Sequence, residues 1–130
     1  MLLLDTHALV QDALAPERLS RRARAAIEAA AASAELACSD ISLWEIAMLV
    51  ARGRIDPGTD AEEFIHVALG ARRIRVLPIS VEIAVLAQSD AIPHKDPADR
   101  IIAATALHHQ ARLATADVKL PRVKGLKTVW

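Results

Sequence analysis

Short, unbroken apolar runs recur along the chain, and segments with helical periodicity separate them. Such runs are typical of strands that are covered on both faces of a parallel sheet. For the second run, an extension of the preceding alanine-rich helix from Glu35 to Cys38 is an open alternative. The pattern predicts five strands: Leu2–Leu4, Leu36–Ser39, Arg75–Ile79, Ala111–Ala116 and Leu126–Trp130.

Helices are predicted between these strands from capping residues and from apolar positions three and four residues apart. Proline at a first helical position, Pro97, makes Asp96 the N-cap and Asp99 the third residue of one helix. Another helix is predicted from a Ser-x-x-Glu capping box, Ser42 to Glu45. The other predicted helices begin near Ala8, span Ser20 to Ala34, run from the cap Asp60 to Gly70, and follow the cap Ser80 through Ala87.

Strands that alternate with helices predict an α/β fold, in which helices cover both faces of a mostly parallel sheet joined by right-handed crossovers. Two consecutive helices, one starting near Ser42 and one near Asp60, are predicted to form a helical arm. The chain has 130 residues and shows no internal repeat or low-complexity linker. We therefore predict a single domain over residues 1–130.

Composition limits the classes of function. Sixteen basic residues balance sixteen acidic ones, so no global positive field attracts nucleic acid, and any nucleic acid must be held locally. Aromatic residues are few, which disfavours recognition by base stacking. A lone cysteine, Cys38, in an apolar run favours a reducing compartment, and we expect the cytoplasm. Asp5 interrupts the apolar start of the chain, which argues against a secretory signal or a membrane span.

Four acidic residues fall where predicted strands pass into helices. Asp5 and Asp117 follow strands directly, whereas Glu45 and Asp99 lie in the first turns of helices. In a parallel sheet the carboxyl ends of the strands share one edge with the starts of the following helices, and ligands bind there. Because neighbouring strands lie about 4.8 Å apart, we expect these acids to converge within about 10 Å.

Each acid also has a structural explanation, as a helix cap or a first-turn acid. As a group they favour a cation, because two carboxylates about 4 Å apart repel each other by about 4 kcal/mol at an effective dielectric constant of about 20. Oxygen ligands without a cysteine or histidine cluster suit Mg²⁺ or Mn²⁺ and argue against structural zinc. His7 and His94 are interpreted as polar loop residues, not as ligands.

The sequence resembles a known family in four blocks that occur in the same order. These blocks closely resemble those of PIN-domain ribonucleases, in particular the VapC toxin branch, and together they span nearly the whole chain: Leu3–His7, Ser42–Ala47, Asp96–Ala104 and Leu113–Asp117. The resemblance implies a three-layer α/β/α PIN-like domain and a Mg²⁺- or Mn²⁺-dependent endoribonuclease that acts on RNA. It also implies a homodimer and inhibition by a cognate antitoxin protein.

The same resemblance assigns roles to residues. It makes four acids the metal site: Asp5, Glu45, Asp99 and Asp117. Asp96 matches a frequent supporting acid of the branch, although helix capping explains it equally well. Two threonines, Thr6 and Thr115, would orient the carboxylates through hydrogen bonds. Members of the branch commonly place a lysine after Trp-Glu-Ile-Ala-Ile, whereas here Met48 is followed by Leu49, which leaves the substrate preference open.

The implied mechanism is hydrolysis by metal-activated water. In this hypothesis one metal is held by Asp5, Asp99 and Asp117, while Glu45 holds a second metal or orients the water. Inline attack on phosphorus would leave a 5′ phosphate and a 3′ hydroxyl. The number of metal ions is left open. Candidate contacts to RNA phosphates are the basic residues near the acids in sequence, for which a solvated surface role is the alternative: Arg52, Lys95, Arg100 and Lys119.

Other functional interpretations stay open. A phosphatase would use Asp5 as its nucleophile, but that chemistry calls for a second acid two residues further on, where this chain has His7. A non-catalytic PIN-like module would use the acids only as helix caps and would bind a protein partner through its helical arm. Nuclease activity directed at DNA is a further alternative.

Overall fold

The computed structural model describes residues 1–130, which contain one five-stranded, entirely parallel sheet. Its strands stand in the spatial order β3-β2-β1-β4-β5. All five predicted strands are present, and residues 36–39 form a strand, not an extension of the preceding helix. The strands are β1 (Leu2–Leu4), β2 (Leu36–Ser39), β3 (Arg75–Leu77), β4 (Arg112–Ala114) and β5 (Thr128–Val129).

Three strands are shorter than predicted, and local hydrogen bonding explains two of the ends. β3 stops before Pro78, which has no N–H to continue a ladder. β4 begins only at Arg112, because the N–H of Ala111 donates to the carbonyl of Ala106 and closes the preceding helix. The third, β5, is reduced to two residues.

Six α-helices connect the strands: α1 (Thr6–Leu14), α2 (Arg21–Ala32), α3 (Ile41–Ala51), α4 (Ala61–Arg72), α5 (Val81–Ala87) and α6 (Pro97–His108). Two 3₁₀ turns, Pro16–Arg18 and Leu120–Arg122, complete the chain. None of these helices is both long and apolar enough to cross a membrane.

Side-chain caps begin four helices where the sequence predicts them. Ser20, Asp60, Ser80 and Asp96 each accept a hydrogen bond from the N–H three residues further along. Such a cap stabilises a helix by about 1 kcal/mol. The predicted end of α4 at Gly70 is two residues early, because the helix continues to Arg72 and the next residue turns it with a φ of 52°.

The predicted capping box at Ser42 and Glu45 is wrong. Helix α3 begins at Ile41, and Asp40 occupies the N-cap position without a side-chain cap. Ser42 and Glu45 lie inside the helix, and both hydrogen-bond to the Thr6 hydroxyl of α1. The Ser-x-x-Glu pattern therefore reflects a contact between two helices, not the start of one.

The core has two parts, one on each face of the sheet. Alternate residues of β1 separate them: Leu2 and Leu4 pack with residues of α1 to α4, while Leu3 packs with residues of α5 and α6. Helices therefore cover both faces, and the three-layer α/β/α prediction is confirmed. Cys38 is buried in the first of these parts as a free thiol.

Candidate functional site

Two adjacent strands bring acids to the carboxyl edge of the sheet. β1 and β4 are hydrogen-bonded neighbours, and Asp5 and Thr115 are the residues that follow them. Asp5 is only 5% exposed, and its side chain caps α1 by accepting a 2.7 Å hydrogen bond from the N–H of Ala8. Burial raises the pKa of Asp5, although hydrogen bonds from Thr115 and Ala8 oppose the effect. Thr115 thus contacts the carboxylate that it was predicted to orient.

Helix α3 adds Glu45 to this edge. The Thr6 hydroxyl bonds to the Glu45 carboxylate, and its oxygen lies 3.0 Å from that of Ser42. Burial is the main reason that the pKa of Glu45 is raised, and the negative charges of Asp96 and Asp5 raise it further. Thr6, the first residue of α1, therefore contacts a carboxylate of the cluster, as predicted.

Helix α6 presents two more acids at its first turn. Asp96 is the N-cap and accepts a 3.1 Å hydrogen bond from the N–H of Asp99. The pKa of Asp99 is raised to about 6, first by burial and then by the charge of Asp96, with contributions from Glu45 and Asp5. This repulsion indicates that Asp99 lies near Asp96, near Asp5 at the start of α1 and near Glu45 in the second turn of α3.

Asp117 joins the cluster from the segment after β4, together with a histidine. Nε2 of His94 lies 2.8 Å from Oδ2 of Asp117 and 3.7 Å from Oδ2 of Asp99. Oδ1 of Asp117 accepts a 2.8 Å hydrogen bond from the N–H of Lys119. Burial acts to raise the pKa of Asp117, but the hydrogen bonds from Lys119 and His94 outweigh it, and the pKa is lowered.

Sequence reasoning interpreted His94 only as a polar loop residue, whereas the structure places its imidazole against the clustered acids. Potential ligand atoms of His94, Asp99 and Asp117 all lie within 4.8 Å of one another. The histidine stands in a loop without periodicity, and its partner is 23 residues away. The only sequence signal was its position two residues before the cap of α6.

The basic residues that were predicted to contact RNA fall into two groups. Arg52, Lys95 and Lys119 are exposed and stay candidates. Arg100 points into the protein, where its guanidinium donates to the carbonyls of Ala87, His94 and Ser89 at 2.6, 2.9 and 3.3 Å. Because three main-chain carbonyls already accept hydrogen bonds from this group, these contacts favour a structural role for Arg100 over the predicted phosphate contact.

The potential metal ligands of this cluster are carboxylate oxygens. Three of the acids have raised pKa values, and the fourth, Asp117, is held by hydrogen bonds. Burial and repulsion raise the pKa values of Asp5, Glu45 and Asp99, so the arrangement gains stability from added positive charge. Hard oxygen donors of this kind suit Mg²⁺ or Mn²⁺. The residues therefore fit a divalent cation of this class.

The largest cavity of the structure lies elsewhere. It has a volume of about 460 Å³ and lies between α1 and α4, with Leu9, Phe64 and Val67 among its lining residues. None of the clustered acids lines it. The acidic cluster is accordingly an open edge of the sheet and not an enclosed pocket.

Comparison with known proteins gives a family and a relative. The family model for the PIN domain matches residues 2–126. Ribonuclease VapC22 of Mycobacterium tuberculosis (strain ATCC 25618 / H37Rv) is 38% identical over 131 residues, which cover 98% of this chain and 97% of the relative.

Solved structures share the fold at low sequence identity. VapBC2 from Rickettsia felis, bound to a DNA fragment from its promoter, has a TM-score of 0.74 and 18% identity, covering 98% of this chain and 96% of that chain. FitAcB from Neisseria gonorrhoeae has a TM-score of 0.66 and 22% identity over the same shares of the two chains. At these identities the likeness concerns the fold.

Proposed function

The chain belongs to the PIN-domain family, in its VapC branch, and on that premise we propose that it is a metal-dependent endoribonuclease and the toxin of a toxin–antitoxin pair. The observation that carries the proposal is the cluster of acids from β1, α3, α6 and the end of β4 at one edge of the sheet. The 38% identical relative, which is named a ribonuclease, supports RNA as the substrate.

We assign the metal-binding role to the carboxylates of the cluster. Asp5, Asp99 and Asp117 would hold one Mg²⁺ or Mn²⁺, and Glu45 would hold a second ion or orient water. When bound, the metal supplies the positive charge that activates water and stabilises the charge developing on phosphate oxygens. The raised pKa values of Asp5, Glu45 and Asp99 support this assignment, because burial, and to a lesser degree the neighbouring carboxylates, disfavour their ionised forms and a bound cation would offset that cost.

The chain's own residues would orient the reaction. Thr6 holds the carboxylate of Glu45, and Thr115 holds that of Asp5, so both acids keep a fixed direction toward the open edge. Water then attacks phosphorus in line with the O3′ leaving group: a new P–O bond forms, the P–O3′ bond breaks, and O3′ takes up a proton. The products are a 5′ phosphate and a 3′ hydroxyl.

The test is cleavage of structured and single-stranded RNAs by purified protein that is free of antitoxin, with Mg²⁺, Mn²⁺ or EDTA. We expect metal-dependent cleavage that falls by at least about 100-fold in Asp99→Asn, since the variant loses charge at the reacting centre. Asp90→Asn is the matched control, because Asp90 is exposed and lies outside the cluster. Both variants must keep the parent's circular dichroism spectrum.

Two other outcomes would redirect the assignment. Equal cleavage of matched DNA oligonucleotides would make the enzyme a general nuclease. Absence of cleavage from folded protein with either metal, on a panel that includes total cellular RNA, would favour the non-catalytic PIN-like binding module.

The partners follow from the same proposal. We propose a cognate antitoxin, because a toxin–antitoxin complex from Klebsiella pneumoniae, with a TM-score of 0.65 and 23% identity, also shares the fold. We also propose a homodimer, supported by Val81 and Val85 of α5, which are 77% and 67% exposed on one helix face. The cytoplasm suits an RNA-cleaving toxin, and one sheet that takes strands from both ends of the chain supports a single domain over residues 1–130.

A further inference from the structure

The imidazole of His94 is held by one hydrogen bond on each nitrogen. The main-chain N–H of Asp96 donates to Nδ1 over 3.1 Å, and Nε2 lies 2.8 Å from Oδ2 of Asp117. A main-chain N–H can only donate, so Nδ1 must be the acceptor nitrogen. In a neutral imidazole the proton is then on Nε2, which donates to the carboxylate of Asp117.

This tautomer prevents His94 from acting as a ligand in the present geometry. The close grouping of His94, Asp99 and Asp117 has the composition of a metal site with one histidine ligand. A cation, however, needs the lone pair of the nitrogen that faces it, and Nε2 carries a proton there. The unprotonated nitrogen, Nδ1, already uses its lone pair to accept the hydrogen bond from the Asp96 N–H.

The loop that carries His94 is fixed independently of the ring. Arg100 of α6 donates to the main-chain carbonyl of His94 over 2.9 Å and to those of Ala87 and Ser89. The His94 side chain itself is only 8% exposed. Main chain and imidazole are thus both restrained, which suits a group whose role is to hold another side chain in place.

Asp117 is the side chain that benefits. It is fixed at both oxygens, by the Lys119 N–H at Oδ1 and by His94 at Oδ2. We propose that His94 is a positioning residue of the nuclease site, whose Nε2–H directs the Asp117 carboxylate toward Asp99 without binding the metal. This inference rests on the proposed function for the identity of the site, but the tautomer stands on the hydrogen bonds alone.

The first test reads the tautomer directly. A two-bond ¹H–¹⁵N correlation spectrum of the metal-free protein resolves its five histidines, and His94→Gln identifies the His94 resonances. We expect a protonated Nε2 and an unprotonated Nδ1, unchanged when Mg²⁺ is added to saturation. A proton on Nδ1 in the metal-free protein, or loss of the Nε2 proton on addition of Mg²⁺, would overturn the proposal.

The second test separates positioning from ligation by Mn²⁺ affinity, measured by calorimetry. Gln offers an N–H at the distance of Nε2 but no imidazole lone pair, so His94→Gln should keep the Mn²⁺ Kd within about 3-fold of the parent value. His94→Ala should weaken binding by about 10–100-fold, as loss of a residue that orients a ligand does. Equal weakening in both variants would identify His94 as a ligand. His66→Gln, at an exposed position of α4, is the control.

Failure of this proposal is distinguishable from failure of the nuclease. If the parent protein neither binds Mn²⁺ nor cleaves RNA, the proposed function is wrong. The spectrum of the metal-free protein then still shows whether Nε2 of His94 carries the proton that it donates to Asp117. If the parent binds Mn²⁺ and cleaves RNA while Nε2 is unprotonated, the function stands and the positioning role falls.

Discussion

Asp99 carries an electrostatic cost in its ionised form. Its pKa rises from 3.8 to about 6, because burial and the charges of Asp96, Glu45 and Asp5 disfavour its ionised form. An acid whose pKa is raised by folding is bound to a proton in the folded state at a pH where the unfolded chain has released it. The free energy of unfolding therefore decreases as the pH rises from about 4 to about 6, and the loss stays constant above that range.

Removing this charge should stabilise the metal-free protein. In EDTA we expect Asp99→Asn to be as stable as the parent near pH 4 and more stable by about 1–3 kcal/mol at pH 7, since one pKa unit corresponds to about 1.4 kcal/mol. Urea unfolding between pH 4 and 8 measures the difference. Asp90→Asn should show none of this trend, and a difference that does not change with pH would contradict the assigned cause.

With Mg²⁺ present, the parent should become more stable than Asp99→Asn. A ligand that binds only the folded state at 100 times its Kd stabilises it by about 2.7 kcal/mol, or about 5–10 °C in Tm for a chain of this size. We expect this shift in the parent and little or none in Asp99→Asn, measured by calorimetric melting at pH 7. An equal shift in both would place the cation away from the acidic cluster.

Single residues also show where sequence reasoning reaches its limit. The acids Asp5 and Asp117 could be placed at the sheet edge because each follows an apolar run, and that rule depends only on local sequence. The roles of His94 and Arg100 could not be predicted in this way, since they depend on contacts with distant side chains or with main-chain atoms. A charged side chain near a site in sequence is equally consistent with binding RNA and with holding a loop, and here Arg100 does the latter.

At the scale of elements, Arg72 joins three helices. From α4 it forms a two-bond ion pair with Asp12 of α1, at 2.9 and 3.0 Å, and it also contacts Glu28 of α2. The Asp12 side chain is 6% exposed, so it depends on this partner for compensation of its charge. The pair therefore fixes the C-terminal end of α4, the second helix of the helical arm, to α1.

Loss of Arg72 should loosen this contact. We expect Arg72→Ala to lower the free energy of unfolding by about 1–3 kcal/mol, because the buried carboxylate of Asp12 is left without a partner. Arg72→Lys should restore only part of the loss, since an ammonium group cannot form the paired hydrogen bonds. Urea unfolding at pH 7 provides the values, with the exposed Arg22→Ala as control. Equal stability of all variants would show the ion pair to be without effect.

Helix starts and strands were predictable because they depend on local chemistry. Caps such as Ser20 and Asp60 satisfy N–H groups within their own first turn, so the sequence nearby contains the whole interaction. The Ser42–Glu45 pattern misled because its real partner, Thr6, is 36 and 39 residues away. Long-range contacts of this kind depend on the order of strands in the sheet, which local patterns do not contain.

At the scale of the whole molecule, the numbers of acidic and basic residues are equal, but the acidic residues are not spread evenly over the surface. The net charge is zero, yet five acids gather at one edge of the sheet. Apolar surface is uneven too, because Val81 and Val85 stand one turn apart on α5 while most large apolar side chains are buried. Contiguous exposed apolar patches are typical of surfaces that another protein covers, and we propose that these two valines belong to one.

This surface gives the homodimer proposal a direct test. We expect the parent to elute at twice the mass of one chain in size-exclusion chromatography with light scattering. Val85→Glu should weaken the dimer by at least about 100-fold, about 3 kcal/mol, because a carboxylate without a partner would be buried in the interface. Val67→Glu, at a 61% exposed position on α4, controls for added charge. Dissociation by Val67→Glu alone would assign the interface to α4, and a parent that stays monomeric at high concentration would refute the homodimer, leaving α5 free for another partner.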